Sequence, residues 1–329
     1  MEQSYKKFFK KGGLFLLSAV ILLFLINAFF IQTVYNIKNP VRNYQQFVAM
    51  DKADLAVLFF GDSHPARGIN PGQINPPARQ GGVSQSFNFA VPSENYEQTF
   101  YKVRMIINKY PAVEVFVFPW DLHSFNNYRL SSYNETRYWL NFMTYDELSN
   151  LTAAARVNLM LRAAWPFIGK GEELIKLLEN RKKKTEIHLG WQKNEENFTS
   201  EKNMSLAGID RVQSQLKSYP DIVNPALIDS FLKIIDLLKS HHKTIILIKY
   251  PVTAEYLNAL DLQGIDRTAY YANIYTRLPK YDNLYLWDFQ ETYKNNEELF
   301  SDPDHLNAQG ADIFSRQIYG KMKELNFLN

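Results

Sequence analysis

Two short groups of polar residues, far apart in the chain, have the composition of a serine nucleophile and its base. Ser63 follows an apolar run that ends in Gly61 and Asp62, and Asp302-x-x-His305 lies near the other end of the chain. A serine attacks a carbonyl only when a base takes its proton and a third group orients that base. The aspartate and histidine of the second group offer such a base and its orienting carboxylate, while Asp304 is either a helix N-terminal charge or a second orienting group.

The residues around Ser63 also allow a different chemistry. Asp62 and His64 have the D-x-H spacing of the first ligand pair in binuclear metallophosphatases, but the G-D-x-x-D and N-H-D/E blocks of that class do not occur in the sequence. We therefore expect no metal and no other cofactor. Asp62 can equally serve to hold its own turn, and His64 can be exposed or line the site.

The bulk composition is that of a folded protein. The chain has 329 residues, 46% of them hydrophobic, and a net charge of +3, which allows a sizeable core. It contains no cysteine, so disulfides, thiolate catalysis and cysteine-ligated zinc are excluded. The basic run at 181–184 lies in a polar segment without a recognisable nucleic-acid module, and we expect a solvated surface rather than a nucleic-acid partner.

The N-terminus predicts a membrane anchor. Lysines precede Gly12, and no charged residue occurs from Gly12 to Ile37. The most apolar part, residues 14–31, covers about 27 Å as a helix, close to the hydrocarbon thickness of a bilayer. The excess of preceding lysines predicts a cytoplasmic tail at 1–11, an anchor at 12–37 and an extracytoplasmic domain at 38–329. A cleaved signal peptide is the alternative, but the apolar run is long for one and no clear cleavage site closes it.

The chain beyond the anchor alternates strand and helix patterns. Apolar runs closed by Gly, Pro or a polar turn predict buried strands, and runs with helical periodicity predict helices between them. Alternation of this kind predicts a doubly wound α/β fold with a parallel sheet, whose sites lie at the carboxyl ends of the strands. The predicted strands are 55–60, 86–91, 113–118, 244–248 and 283–289, and the predicted helices are 96–108, 226–239 and 308–325.

The segment from about 125 to 219 fits this alternation poorly, and we predict that it is a helical and aromatic insertion. It contains a helical stretch at 151–164 and the tryptophans Trp139, Trp165 and Trp191. These aromatic side chains could stack on sugar rings above the site, or they could fill a small satellite core.

Taken together, Gly61-Asp62-Ser63 after the first strand and Asp302-x-x-His305 before the last helix resemble the SGNH (GDSL-type) hydrolase superfamily. The resemblance implies a flavodoxin-like α/β sandwich. It also implies that Ser63 is the nucleophile, His305 the general base and acid, and Asp302 the orienting residue.

The two middle blocks of that superfamily supply oxyanion donors, and here they have unusual residues. The resemblance implies donors at the N–H of Ser63 and the N–H near Ser93, where the family usually has glycine. Asp121 stands in place of the usual asparagine, and a carboxyl group donates a hydrogen bond only when it is protonated. Further candidate site residues are Asp62, His64, Arg67, Asn88 and His123.

The anchor, the insertion and the altered third block are similar to one branch of the superfamily. That branch contains the anchored proteins of polysaccharide O-acetylation, such as those of the alginate pathway, and the D-alanyl transfer protein of lipoteichoic acid synthesis. The resemblance implies a serine acyltransferase or esterase that acts on acyl esters of a cell-surface polysaccharide beside a membrane-bound O-acyltransferase. A non-catalytic polysaccharide-binding or scaffold subunit is the alternative.

Overall fold

The computed structural model describes residues 2–36, 38–74, 86–126, 136–167, 170, 186–198, 204–216 and 223–328. The basic run at 181–184 lies outside the described residues. The chain divides into two compact units, one of residues 1–41 and 133–184 and the other of residues 42–132 and 185–329. The insertion predicted at about 125–219 is thus divided between the two units.

The second unit holds the central sheet. The described strands are β1 (Val57–Phe59), β2 (Ser86–Asn88), β3 (Val115–Pro119), β4 (Ile187–His188), β5 (Trp191–Gln192), β6 (Thr244–Lys249), β7 (Leu284–Asp288), β8 (Phe300–Asp302) and β9 (His305–Leu306). Five of them are parallel and lie in the order β2-β1-β3-β6-β7, which is the flavodoxin-like order once the short hairpin strands are left out of the numbering. The fold is therefore α/β, as the strand and helix alternation predicts, and every predicted strand belongs to this sheet.

The helices agree with the predicted ones to within a residue or two where periodicity was strong. Asn95 caps the helix that begins at Tyr96, and Asn224 caps the one that begins at Pro225, as expected for residues that accept from free helical N–H groups. The helices are α1 (Glu2–Phe30), α2 (Asn39–Ala49), α3 (Ser63–Gly68), α4 (Pro71–Ile74), α5 (Tyr96–Lys109), α6 (Thr136–Trp139), α7 (Tyr145–Asn150), α8 (Ala153–Ala164), α9 (Met204–Gln215), α10 (Pro225–Ser240), α11 (Ala254–Leu262), α12 (Arg267–Tyr275) and α13 (Ala308–Glu324).

Both faces of the sheet are covered by apolar side chains. Val57 and Phe59 of β1 contribute to one core together with Phe314 of α13, whereas Phe60 stacks near Phe116 on the opposite face. Because successive strand residues point to opposite faces, a run in which every residue is apolar is buried on both sides. The β1 run is of this kind, and the polar residues of this part of the chain begin just after its carboxyl end.

The first unit contains the apolar N-terminal helix. The segment Phe9–Tyr35 has a mean hydropathy of 2.8 and is long and apolar enough to cross a membrane, by length and composition. Within the same unit, Tyr138, Trp139 and Phe142 pack ring against ring. Trp139 and, in the second unit, Trp191 are buried, so these two tryptophans contribute to cores rather than to an exposed stacking surface.

Gly61 joins β1 to the turn that carries Ser63, and it approaches β3 closely. Its φ is +112°, and a Cβ atom at this position would lie 2.5 Å from Cδ and Cγ of Pro119. Glycine adopts a positive φ at little cost. The ring of Pro119 is rigid and cannot bend away from an added Cβ atom. The turn before the serine therefore requires glycine for two reasons, backbone angle and space.

We expect Gly61→Ala to lower the free energy of unfolding of the full chain by roughly 2–5 kcal/mol, the sum of a left-handed backbone cost and an overpacking cost. Gly264→Ala is the matched control, because Gly264 has a φ of +70° and a Cβ atom added there would meet nothing within 4 Å; it should lose only about 1–2 kcal/mol. Denaturant unfolding in detergent measures both. Equal losses in the two variants would contradict the close approach to Pro119.

Candidate active site

Ser63, His305 and Asp302 form a hydrogen-bonded chain. The Oγ atom of Ser63 lies 2.7 Å from Nε2 of His305, although the two residues are 242 positions apart. The other ring nitrogen, Nδ1, lies 2.8 Å from both carboxylate oxygens of Asp302. This is the order nucleophile, base and orienting carboxylate that acyl transfer by a serine requires. Ser63 is half-buried, so its hydroxyl faces accessible space while the ring of His305 is buried.

A short hairpin, rather than a turn into the last helix, holds the base and its carboxylate. Asp302 at the end of β8 pairs with His305 at the start of β9, and the Asp302 carboxylate also accepts the backbone N–H of His305 at 3.0 Å. The hairpin is held to the loop after β6 because the backbone N–H of Thr253 donates to Pro303 O at 3.0 Å. Asn307 then caps α13 by accepting from Gly310 N.

A buried imidazole, that of His64, joins three loops at the carboxyl edge of the sheet. Its Nδ1 lies 2.7 Å from the Asp121 carboxylate that follows β3, and its Nε2 lies 3.0 Å from the Asp304 carboxylate of the hairpin. All three side chains are at most 3% exposed. A neutral imidazole has one N–H, whereas donation to both carboxylates requires two, so this geometry selects the imidazolium form of His64.

Besides its contact with His64, the Asp304 carboxylate accepts hydrogen bonds from three N–H donors of two side chains. Arg211 of α9 donates to both of its oxygens, from Nε at 2.5 Å and from Nη2 at 3.1 Å, and Gln215 Nε2 donates at 2.5 Å. Asp304 also lies 3.3 Å from Nδ1 of His305, farther than Asp302 does. Asp302 is therefore the nearer carboxylate partner of His305, and Asp304 ties the hairpin to α9.

Arg211 also contacts the imidazole of His305 directly. Its Nη2 atom lies 3.4 Å from each ring nitrogen of His305, which places the guanidinium over the imidazole ring rather than in line with one nitrogen. Sequence reasoning missed both Arg211 and Gln215. The one available signal was their i, i+4 spacing, which puts both side chains on the same face of α9, but that helix belonged to the segment interpreted as an insertion.

The charges of this cluster shift the affinities of its members for protons. Burial alone would lower the pKa of His64, but the carboxylates of Asp121 and Asp304 outweigh it and raise the pKa to about 10. Burial would raise the pKa of Asp304, and the neighbouring His305, Arg211 and His64 instead hold it well below its usual range. Buried charges persist when each has a partner of opposite sign, and these pairs satisfy that condition.

Asp62 and His123 form a second buried pair beside the first. Nε2 of His123 lies 3.2 Å from the Asp62 carboxylate, whose other oxygen accepts the backbone N–H of His64 at 2.9 Å. The rings of His64 and His123 meet edge to face with centroids 4.4 Å apart. Both D-x-H segments, after β1 and after β3, therefore contribute to one buried cluster under the serine.

Two candidate site residues occupy positions different from those expected. The carboxylate oxygens of Asp121 accept from His64 and from the backbone N–H of Tyr250, the latter at 3.0 Å, so this side chain acts as an acceptor and supplies no donor to an oxyanion. The Asn88 amide donates to Pro65 O at 2.6 Å and to Ile69 O at 2.8 Å. Asn88 is thus a buried support for the turn and short helix after β1, since its amide N–H groups donate to the backbone of that segment.

Ser93 and Arg67 lie at the edge of the site. Ser93 is exposed, with a φ of +65°, a conformation that favours glycine over serine. Its turn is held beside the serine loop because Val91 N donates to Gly61 O at 2.8 Å. Arg67 is about one-third exposed and lies 3.7 Å from the Asp302 carboxylate, where it balances the charge of the orienting residue.

The cluster includes two groups of potential metal ligands. The ligand atoms of Asp62, His64 and His123, and those of His64, Asp304 and His305, lie within 4.8 Å of one another. His64 belongs to both groups, and both of its ring nitrogens lie within hydrogen-bonding distance of carboxylates. A cation bound there would have to replace protons that already balance those carboxylates, so the arrangement fits a proton-linked network better than a metal centre.

Another buried ion pair lies behind the turn after β2. Glu94 and Lys102 are fully buried and hydrogen-bonded to each other, and Lys102 Nζ also donates to Phe89 O at 2.8 Å. Burial is the main cause that raises the pKa of Glu94 to about 7. Sequence reasoning did not find this pair because a lysine within an amphipathic helix normally lies on the solvated face.

Comparisons with known proteins add little to this geometry. No protein-family model matches the sequence, and no curated protein matches it. Among solved structures, the chain is similar to a candidate acylhydrolase from Bacteroides fragilis, with 13% sequence identity and a TM-score of 0.36 over 86% of this chain and 95% of that one. The assignment of chemistry to this site therefore rests on the positions of its side chains.

The stability of the chain should fall between pH 7.5 and 10 because of His64. Its pKa in the folded chain is about 10 against 6.5 for the free side chain, so its stabilising contribution is complete below about pH 6.5 and is lost as the pH rises through 10, by at most about 1.4 kcal/mol per pH unit. The pH range starts at 7.5, above the pKa of Glu94, so that titration of Glu94 contributes little to the fall. Thermal unfolding midpoints of the full chain in detergent measure the fall.

The variant His64→Gln should show a lower midpoint with a smaller dependence on pH in this window. His241→Gln is the control, since His241 is exposed at the end of α10, and it should keep the wild-type dependence. A wild-type midpoint that stays constant from pH 7.5 to 10 would contradict the imidazolium assignment.

Proposed function

We propose that this chain is a membrane-anchored serine acyltransferase or esterase of the SGNH type, and that it acts on acyl esters, of acetyl type, of a cell-surface polysaccharide through an acyl-Ser63 intermediate. One observation carries the proposal: Ser63 Oγ lies 2.7 Å from a histidine nitrogen whose partner nitrogen lies 2.8 Å from a carboxylate. The flavodoxin-like strand order agrees with it.

The reaction would proceed in two steps. Ser63 Oγ attacks the ester carbonyl while His305 Nε2 takes the hydroxyl proton, and the imidazolium that forms is stabilised by Asp302. His305 then returns the proton to the leaving alkoxide, which departs as an alcohol and leaves the acyl group on Ser63. An acceptor hydroxyl, or water, reverses the sequence, giving transfer in the first case and hydrolysis in the second.

The donors that stabilise the oxyanion decide between catalysis and a second candidate function. Backbone N–H groups of Ser63 and of the Ser93 turn are the donors we propose, since a donor aimed at the developing charge contributes about 3–4 kcal/mol to the barrier. Asp121, at the position of the usual third donor, is held as an acceptor. That observation favours the alternative, a polysaccharide-binding or scaffold subunit without turnover.

The location and partners are further parts of the proposal. The apolar segment Phe9–Tyr35 would anchor the chain, with the tail of residues 1–11 in the cytoplasm by the excess of lysines. The second unit would then work outside the membrane, beside a membrane-bound O-acyltransferase that delivers or receives the acyl group. Co-purification of such an acyltransferase with the full chain from native membranes would support this part.

A fluorophosphonate probe tests for an activated serine. We expect it to label the wild-type chain and Ser240→Ala, whose serine is exposed on the last turn of α10, and not to label Ser63→Ala. Labelling should slow by roughly 10⁴-fold in Asp302→Asn, because the imidazole loses its orienting carboxylate. The readout is the rate of probe incorporation. Wild-type chain that incorporates no probe, with normal thermal unfolding, would favour the binding or scaffold function.

Turnover of p-nitrophenyl acetate with and without an oligosaccharide acceptor separates transfer from hydrolysis. We expect faster release of p-nitrophenol when the acceptor is present, together with acetylated oligosaccharide detected by mass spectrometry, because the acceptor competes with water for the acyl-serine. Ser63→Ala supplies the background rate. Release that is equally fast without acceptor, and no acetylated product, would identify the chain as an esterase.

A further inference from the structure

Helix α8 in the first unit leaves an apolar stripe uncovered. None of its residues is buried, and the large side chains Val157, Met160 and Leu161 are 56%, 54% and 51% exposed. At about 100° per residue these three fall on one side of the helix together with alanines. The members of the stripe are Ala153, Ala154, Val157, Met160, Leu161 and Ala164.

The remaining surface of α8 has a different character. Arg156, Leu159 and Ala163 are half-buried and lie on the side of the helix opposite the stripe, and helix α6 packs against α8. Asn158 and Arg162 are exposed and form a narrow polar edge between the two. In water the exposed apolar face of such a helix is unfavourable, because apolar surface is stabilised only when it is removed from water.

The carboxyl end of α8 contacts the apolar N-terminal helix α1. The rings of Trp165 and Phe24 lie with centroids 4.8 Å apart. The Asn27 side chain, only 8% exposed, donates from Nδ2 to Ala164 O at 3.0 Å. Both groups need this bond, since the last carbonyl groups of a helix have no partner within it and an amide within an apolar span needs a partner.

The depth of this contact along α1 fixes where α8 would lie in a bilayer. Asn27 is about 12 Å from Tyr35, measured at 1.5 Å per residue, and Phe9–Tyr35 is the span long enough to cross a membrane. A bilayer is about 40–45 Å thick with a hydrocarbon core of about 30 Å. The end of α8 therefore lies just inside the hydrocarbon boundary, the depth of roughly 5–10 Å at which interfacial helices bury their apolar faces.

We propose that α8 is an interfacial helix whose apolar stripe lies in the lipid of the same membrane that α1 crosses, so that the chain is held to the bilayer by two elements. The inference rests on the proposed membrane anchor and adds a second lipid-contacting surface to it. Trp165 at the end of the helix and the exposed cation Arg162 are residue types that occur at the boundary between headgroups and acyl chains. A partner protein could also cover the stripe, but the bond to Asn27 puts its end at lipid depth without one.

The absence of cysteine from the sequence allows a direct test on the full chain. Single-cysteine variants Met160→Cys on the stripe, Asn158→Cys on the polar edge and Leu16→Cys on α1 carry a nitroxide label. The labelled chains are reconstituted in vesicles of phosphatidylethanolamine and phosphatidylglycerol at about 3:1. Electron paramagnetic resonance then compares the collision of each label with oxygen, which is concentrated in lipid, and with a water-soluble nickel chelate.

We expect the label at Met160 to collide more with oxygen than with nickel, as the label at Leu16 does, and the label at Asn158 to do the opposite. Leu16 is 65% exposed, so its label reports the anchor by itself. A Met160 label exposed to nickel, while Leu16 is in lipid, would overturn the interfacial helix and leave the anchor intact. A Met160 label shielded from both reagents would assign the stripe to protein packing and would also overturn it.

A Leu16 label exposed to nickel would overturn the anchor and the inference with it. The proposed chemistry is tested separately, because labelling of Ser63 by the fluorophosphonate does not depend on where α8 lies. Each of the three proposals, the serine chemistry, the anchor and the interfacial helix, thus fails on a different measurement.

Discussion

The site depends on one buried imidazolium shared by two carboxylates. His64 lies between Asp121, which follows β3, and Asp304, which belongs to the hairpin of β8 and β9. In water such contacts would be weak, but in a buried site the cost of an unpaired carboxylate is several kcal/mol. The loops therefore cannot separate without leaving a charge unpaired. Because Ser63 directly precedes His64 in the chain, these ion pairs also hold Ser63 in position beside His305.

The paired charges that hold the site together differ in burial from Ser63. The carboxylates and imidazoles under the serine are almost fully buried, whereas Ser63 is half-buried and Asp302 is about one-third exposed. Buried, paired charges are rigid because any displacement loses a strong hydrogen bond. The hydroxyl of Ser63 is therefore the accessible end of a hydrogen-bonded chain whose supporting charges are fixed by their pairing.

Much of the fold was predictable because its signals are local. Strands β1, β3 and β6 are continuous apolar runs, and the long helices have strong periodicity and asparagine caps. Asp302 and His305 were predictable as a pair because they are neighbours in the sequence. The hairpin that holds them was not, since strands of two or three residues are too short to show a period.

The partners of the buried charges were not predictable, because each is brought by a different part of the chain. Arg211 reaches Asp304 across 93 positions from a helix with no motif. Asp121 occupies the position expected of an oxyanion donor, but its contacts with His64 and with the backbone N–H of Tyr250 make it an acceptor. Sequence patterns specify which face of an element is buried, whereas the pairing of buried charges depends on the packed structure itself.

The hairpin has a consequence for how the chain is made. Asp302 and His305 are fixed to each other across a tight turn, and His305 follows Ser63 by 242 positions. During synthesis the serine leaves the ribosome long before either of them exists. Until the hairpin has been made and has docked, Ser63 thus lacks the histidine partner that it has in the folded chain, and a chain that stalls before this point presents a serine without that hydrogen bond.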